Sequence, residues 1–455
     1  MRGDVDIGAD IILRHSQLKR GLLVTPDVLK KSERGVYSLG LFSMVRLEIN
    51  ERDEEADTTS FKDSEAKTLV LPEKSLPADV GPHKWVNVTL YAQKKPLREF
   101  TVGGGVGFDR SSQQARVKGS WSHRNFFGGL RTFSVHGVAG YTFLPAVWDR
   151  SLSGPSGEIG VSFIQPGFLD PSLTLTSSAT YLLEFEEAFQ YHAPQGKLGL
   201  ERPLYWDLKG EVFYEVTYYD FFNVRSSVLD EENNPLGHSF VDPFLLTTLT
   251  EAVTWDARDH PLVTRNGVYA RIAFTQALKA LGGEFQFLKV VADLRGYYTP
   301  WKWLTLAARA MNGYAWGLGK GESVPIISRF FSGGANSIRG FDFQRLSPYA
   351  EKCDADGTNC ERSPVGGVTT VLAQLETRIH LPWNISTVLF TDIGNVYEQE
   401  FNPDLTELTY NAGVGLRYLT PVGPIRLDFA FRLHAPERYD YLAPWTFYIT
   451  LGEAF

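Results

Sequence analysis

The sequence predicts a mainly β chain in which about sixteen antiparallel strands close into a transmembrane barrel, preceded by one small α/β domain over residues 1–96. Three observations predict it. From Arg98 to the C-terminus, strand-like stretches of roughly ten residues recur between clusters of Gly, Pro, Asp and Asn. Nearly all of these stretches are apolar on one face and polar on the other, with ionised residues in mid-strand. The composition is rich in aromatics and glycine, with 20 Tyr, 30 Phe, 10 Trp and 42 Gly against 3 Met and 2 Cys in 455 residues, as suits strands that end in interfacial aromatic girdles. A soluble sandwich would have to cover each dry face with a second sheet of similar size. A closed barrel with lipid outside and a hydrated lumen accommodates the same pattern and leaves no open edge.

Bulk properties narrow the function classes. No apolar run reaches the ~18 residues of a membrane-spanning helix, which says nothing against barrel strands. A net charge of −8 and the lack of a basic run with interleaved aromatics argue against a nucleic-acid partner. Met1-Arg2-Gly3-Asp4 is followed by no signal-peptide apolar core. Because a barrel must be exported, the chain is expected to be a mature or N-terminally truncated fragment.

In chain order, a short helix is expected over 11–18. A second begins at Thr25-Pro26-Asp27, where Thr25 caps, Pro26 takes the first helical position and Asp27 faces the positive end of the dipole. It carries Val28, Leu29, Val36 and Leu39 and stops near Gly40. Strands follow where Val45, Leu47 and Ile49, and then Val86, Val88 and Leu90, alternate with polar residues. The charged, proline-containing stretch 51–84 between them reads as a loop. In the barrel part, Lys209, Glu211 and Glu215 mark a polar face within 208–218. Tyr410, Val414, Leu416 and Tyr418 oppose Asn411 and Arg417, and Ile425, Leu427, Phe429 and Phe431 oppose Arg426, Asp428 and Arg432. The last stretch, 447–455, alternates Phe447, Ile449 and Leu451 with Tyr448 and Thr450. The inward charges Arg417, Arg426, Asp428 and Arg432 read as a lumen network rather than an active site.

Cys353 and Cys360 flank a loop-like stretch containing Asp354, Asp356 and Asn359. A local disulfide in an oxidising exterior is one reading, and a calcium loop is the other, although the spacing is not that of an EF-hand. Gly103, Gly104, Gly105 and Gly107 imitate a phosphate-binding string, but no helix start follows them. No zinc-ligand spacing, P-loop or nucleophile elbow occurs and the nine histidines are scattered. No enzymatic activity, metal or cofactor is therefore expected.

Several stretches resemble the BamA/TamA superfamily of outer-membrane assembly factors. They are Phe330-Phe331-Ser332-Gly333-Gly334 with Ser337-Ile338-Arg339-Gly340-Phe341, then Asp392-Ile393-Gly394-Asn395-Val396, then Gly413-Val414-Gly415-Leu416-Arg417 followed by Thr420-Pro421-Val422-Gly423-Pro424 and Ile425-Arg426-Leu427-Asp428, and the terminal Leu451-Gly452-Glu453-Ala454-Phe455. Glu453 departs from the hydrophobic preference of general porin C-termini. Tyr37 to Phe42 resembles part of one polypeptide-transport-associated (POTRA) domain. The resemblance covers almost the whole chain and implies a periplasmic POTRA-like domain before a 16-stranded barrel at 97–455 in the bacterial outer membrane.

It further implies that a loop over about 319–364, between the eleventh and twelfth barrel strands, folds into the lumen with Arg339, Gly340 and Phe341 at its tip. Arg339 would pair with Glu376 and Asp392. The residues alone leave open that Arg339 is a solvated loop residue. Gly103, Gly104 and Gly105 would weaken the first strand where it meets the last, near Gly452 and Phe455, giving a lateral seam able to template a client strand. The alternative is that these glycines make room for bulky lumen groups. The implied function is folding or insertion of β-barrel or autotransporter clients, with outer-membrane lipids, unfolded clients and accessory envelope proteins as partners. A two-partner-secretion transporter or a passive porin are the alternatives.

Overall fold

In a computed structural model of the chain, the described residues are 12, 16, 18–19, 21–37, 42–51 and 86–94 in the N-terminal part. From 96 to 451 all are described apart from short turn and loop segments, the longest being 230–239. The N-terminal part holds helix α1 (Pro26–Tyr37), strand β1 (Phe42–Glu51) and strand β2 (Val86–Lys94). The Thr25 hydroxyl accepts a 3.3 Å hydrogen bond from the Val28 N–H, the N-cap that the sequence calls for. Strands β1 and β2 pair antiparallel, with Leu47 opposite Leu90. Glu33 of α1 accepts the Leu47 N–H at 2.9 Å, tying the helix to β1. Ile12, Val36, Phe42, Leu90 and Leu130 form the core of this compact unit, which also includes 120–135 and 161–177. Ile12 and Ser16 are helical. The rest of the expected first helix, Leu39 and Gly40, and the expected loop over 52–84 lie outside the described residues.

Sixteen strands close the barrel: β3 (Arg98–Asp109), β4 (Gln113–Arg124), β5 (Thr132–Ala146), β6 (Asp149–Pro166), β7 (Thr174–Phe185), β8 (Gln190–Pro203), β9 (Leu208–Phe222), β10 (Phe244–Asp256), β11 (Gly267–Ala277), β12 (Phe287–Trp301), β13 (Leu304–Gly317), then β16 (Thr369–His380), β17 (Ile385–Tyr397), β18 (Thr409–Thr420), β19 (Gly423–His434) and β20 (Trp445–Leu451). Two short strands, β14 (Tyr349–Cys353) and β15 (Cys360–Pro364), pair with each other inside the loop that joins β13 to β16. Each barrel strand pairs with its sequence neighbours, and β20 returns to β3.

The burial pattern is inverted relative to a soluble protein. On β19, Arg426 and Asp428 are fully buried, whereas Leu427 and Phe431 are 46% and 50% exposed. On β16, Gln374, Glu376 and Arg378 are buried and Leu375 is 58% exposed. Charges turned inward and aliphatics turned outward are the arrangement for a strand wall facing hydrocarbon. Exposed Trp301, Trp303 and Trp383 sit on two adjoining short turns, with the first two rings stacked at 5.6 Å, in the manner of an interfacial aromatic girdle.

The end of the barrel opposite to where β3 starts carries the longer connections. There, Phe189, Tyr191, Tyr219, Phe221, Phe244 and Phe287 pack with Val324, Ile326, Phe330, Ala350 and Val365 of the β13–β16 loop in one apolar cluster.

Candidate functional site

The β13–β16 connection folds back onto the inner wall. Its base is held by bridges from Phe330 to Gly367 and from Ser332 to Leu346. Its tip closes with the Gly334 N–H donating to the Phe341 carbonyl at 2.9 Å and the Phe341 N–H donating to the Ile338 carbonyl at 3.2 Å. The wall beneath the tip is set by register. Gln374 on β16 stands opposite Asp392 on β17, and Asp392 opposite Asn411 on β18, so side chains of three consecutive strands converge on one inward patch.

Arg339 is fully buried there. Its Nε and Nη2 donate to the two oxygens of Asp392 at 2.8 and 2.7 Å, a fork-to-fork pair, and its own backbone N–H donates to Asp392 Oδ2 at 3.0 Å. Nη1 donates to Glu376 Oε1 at 2.6 Å and lies 3.7 Å from Asp428. The guanidinium stacks over the Phe390 ring at 3.5 Å. Arg378 donates to the other Glu376 oxygen at 2.8 Å, Arg417 pairs with Asp428, and Arg426 lies 3.3 Å from Asp428 while donating to the Ala335 carbonyl at 2.7 Å. Gln374 donates to the Ser337 carbonyl at 2.6 Å and to Asp392 at 3.2 Å. Taking these ions out of water is costly, and only bidentate geometry and satisfied lone pairs offset it. The offset is fullest at Arg339.

Gly340 has a steric role. A Cβ there would lie 1.7 Å from Asn411 Oδ1 and 2.4 Å from its Cγ, so only glycine lets the backbone approach β18. Phe341 packs edge-on against Tyr439 at 5.4 Å, under the Arg432 guanidinium at 4.8 Å, with Ile338, Leu346 and Leu372 completing a small apolar shelter. Among the described residues no histidine or cysteine takes part in these bonds. The constellation holds the loop tip on the inner wall.

The structure thus brings Arg339, Gly340, Phe341, Glu376 and Asp392 together. Asp428, Gln374, Phe390 and Asn411 join them. The first two sit on polar faces visible in the sequence. Asn411 does as well, and Phe390 is recognisable only once the register is known.

β20 and β3 are registered through Tyr448 with Asp109 and Ile449 with Phe108. Gly103, Gly105 and Gly107 alternate along β3 with the exposed Phe100, Val102, Val106 and Phe108. A Cβ at Gly103 or Gly105 would meet no described atom within 4 Å, and one at Gly104 only the Arg116 carbonyl at 3.7 Å. A Cβ at Gly107 would lie 3.0 Å from the Gln114 side chain. Gly452 and Phe455 lie outside the described residues.

Cys353 and Cys360 form a disulfide that closes the β14–β15 hairpin. Asn359 of the calcium alternative lies outside the described residues.

A closed sixteen-strand barrel with charges inside, aliphatics outside and a long loop anchored on its inner wall defines a transmembrane β-barrel protein. The chain belongs to the Omp85 superfamily, whose domain matches residues 125–455, and it is an outer-membrane protein. It is 25% identical over 353 residues to the outer membrane protein assembly factor BamA of Nitratidesulfovibrio vulgaris, spanning 75% of this chain and 40% of that protein. It is 24% identical over 373 residues to a SAM50-like protein of Schizosaccharomyces pombe, spanning 78% and 71%. The fold is similar to that of BamA from Haemophilus ducreyi lacking POTRA domains 1–3 (TM-score 0.69, 16% identity, 98% of this chain and 82% of that one). It is also similar to CdiB from Acinetobacter baumannii (TM-score 0.61, 15% identity, 99% and 72%).

Proposed function

We propose that the protein is a non-enzymatic assembly factor that folds or inserts β-barrel or autotransporter clients into the bacterial outer membrane. The observation that carries the reading is the seam. β20 meets β3 through the Tyr448–Asp109 and Ile449–Phe108 positions, and β3 carries Gly103, Gly105 and Gly107 on one face. Glycine weakens strand pairing, and a seam so weakened can part and offer an unpaired edge to an incoming strand, lowering the barrier to insertion. The N-terminal unit at 1–96 would lie in the periplasm and receive unfolded clients by edge pairing on its sheet, with lipids and accessory envelope proteins as further partners. The kinship with proteins named as assembly factors supports the same reading.

A second reading, export of a dedicated polypeptide through the lumen, draws on the likeness to CdiB. The loop anchored on the inner wall argues against a passive porin, which needs an open channel. Depletion in the native host with quantitation of outer-membrane proteins tests the proposal. The expected result is loss of barrel proteins from the membrane. Unchanged barrel proteins with loss of one secreted polypeptide would replace assembly by export.

A further inference from the structure

The last barrel strand is fastened to the loop tip from inside. On β20 the inward side chains are Thr446 and Tyr448, both buried, while Trp445 and Ile449 face outward. Two residues apart on one strand, they share a face. The Thr446 hydroxyl donates to the Arg339 carbonyl and the Tyr448 hydroxyl to the Phe341 carbonyl. These are the carbonyls on either side of Gly340, the residue pressed against Asn411. The tip's backbone is fixed from below by Asp392 taking the Arg339 N–H at 3.0 Å. Tyr448 is also the residue registered with Asp109 across the seam. One tyrosine therefore touches the loop through its side chain and the first strand through its backbone.

We propose that Thr446 and Tyr448 are positioning residues that latch the seam strand to the loop tip, so that withdrawal of the tip and freeing of β20 are a single event. The latch deepens the assembly reading and depends on it for its purpose. The coupling itself does not, because it is a property of the barrel alone. Physically, a carbonyl left without its buried donor is penalised. A tip that shifts loses both hydroxyl partners together, and a strand that swings away strands both carbonyls. The two movements are thus linked through a shared set of bonds, and substitutions on either side should be strongly non-additive.

The test uses the full chain reconstituted in lipid, without client. Phe108→Cys with Ile449→Cys reports the seam, since these positions are opposed and outward. Leu294→Cys with Ala310→Cys, opposed on β12 and β13, reports a wall remote from the latch. Oxidative cross-linking is followed for each pair. With Thr446→Val and Tyr448→Phe combined, cross-linking at the seam is expected to slow at least several-fold while the remote pair keeps its rate. Arg339→Ala should slow the seam to a similar extent and add little to the double variant. Thr446→Ser, which keeps the hydroxyl, should behave like the parent. Seam cross-linking at the parent rate in the double variant would overturn the latch, as would an equal slowing of the remote pair, which marks general loosening. Neither outcome depends on whether clients are inserted, so failure of the latch and failure of the assembly role are read separately.

Discussion

At the scale of single residues, Arg339 organises the site. It is the cation that reaches both Glu376 and Asp392, and it also fixes the tip's backbone through Asp392. Removing one member of such a buried set typically costs about 3–5 kcal/mol, because the remaining charges are stranded. Arg339→Ala is expected to make the 318–368 loop sensitive to protease and to reduce assembly of client barrels. Arg339→Lys should recover little of this, because an ammonium cannot supply the fork that grips both Asp392 oxygens. Loop cleavage kinetics on purified protein check the first effect, and complementation of a depleted host checks the second. Parent-like values in both assays would reduce Arg339 to a passenger. The pairing partners were legible as polar-face residues, and their convergence on Arg339 came from the resemblance to a family, not from spacing. Thr446 and Tyr448 left no comparable trace. Their bonds go to backbone carbonyls, which every sequence supplies, so no complementary residue type marks them.

At the scale of elements, strand identity was legible because its signal is local: a side-chain period of two with charges on one face. The β14–β15 hairpin was not legible. It is five residues on each side, polar, and pairs only within the loop, so it shows no alternation against a core. Nor did the sequence reveal the second foothold of this loop, where Arg345 pairs with Glu187 in the β7–β8 turn and Glu361 faces Arg225 at 3.7 Å. Beside Glu187, burial pushes the Glu186 carboxyl up to about 7, with the nearby Glu184 acting in the same direction. A carboxyl raised above its unfolded value favours the folded contact at low pH, and that contribution is lost as pH rises through the folded value. The turn should therefore hold the loop more firmly near pH 5 than near pH 8. Trypsin cleavage at Arg345, corrected against a peptide standard at each pH, should accelerate across that window. Glu186→Gln should flatten the response, and an unaltered response in that variant would move the titration elsewhere.

For the whole molecule, the loop crosses from the β16–β17–β20 wall to the β7–β8 turn, and the apolar cluster packs around its base. A barrel strapped in this way should conduct poorly despite its strand number. In planar bilayers the parent is expected to show small or rare openings, and Arg339→Ala with Arg345→Ala, which releases both footholds, larger and more frequent ones. A stable wide pore in the parent would favour a porin. The closed barrel, its strand number and the place of the long loop were all anticipated from alternation and motif. What lay beyond reach was the interior, because which inward residues meet across the lumen depends on closure, and no short stretch of chain encodes closure. The inverted wall has one more consequence. Because side chains alternate between lumen and lipid along β16 to β19, the wall has a parity: shifting the face of one of these strands by a single residue would turn Glu376 or Asp428 toward hydrocarbon, whereas the same change in a connecting loop leaves every face where it was. An odd change within a strand is thus expected to be tolerated only where a bulge absorbs it, as at the register shift between Tyr410 and Asn411.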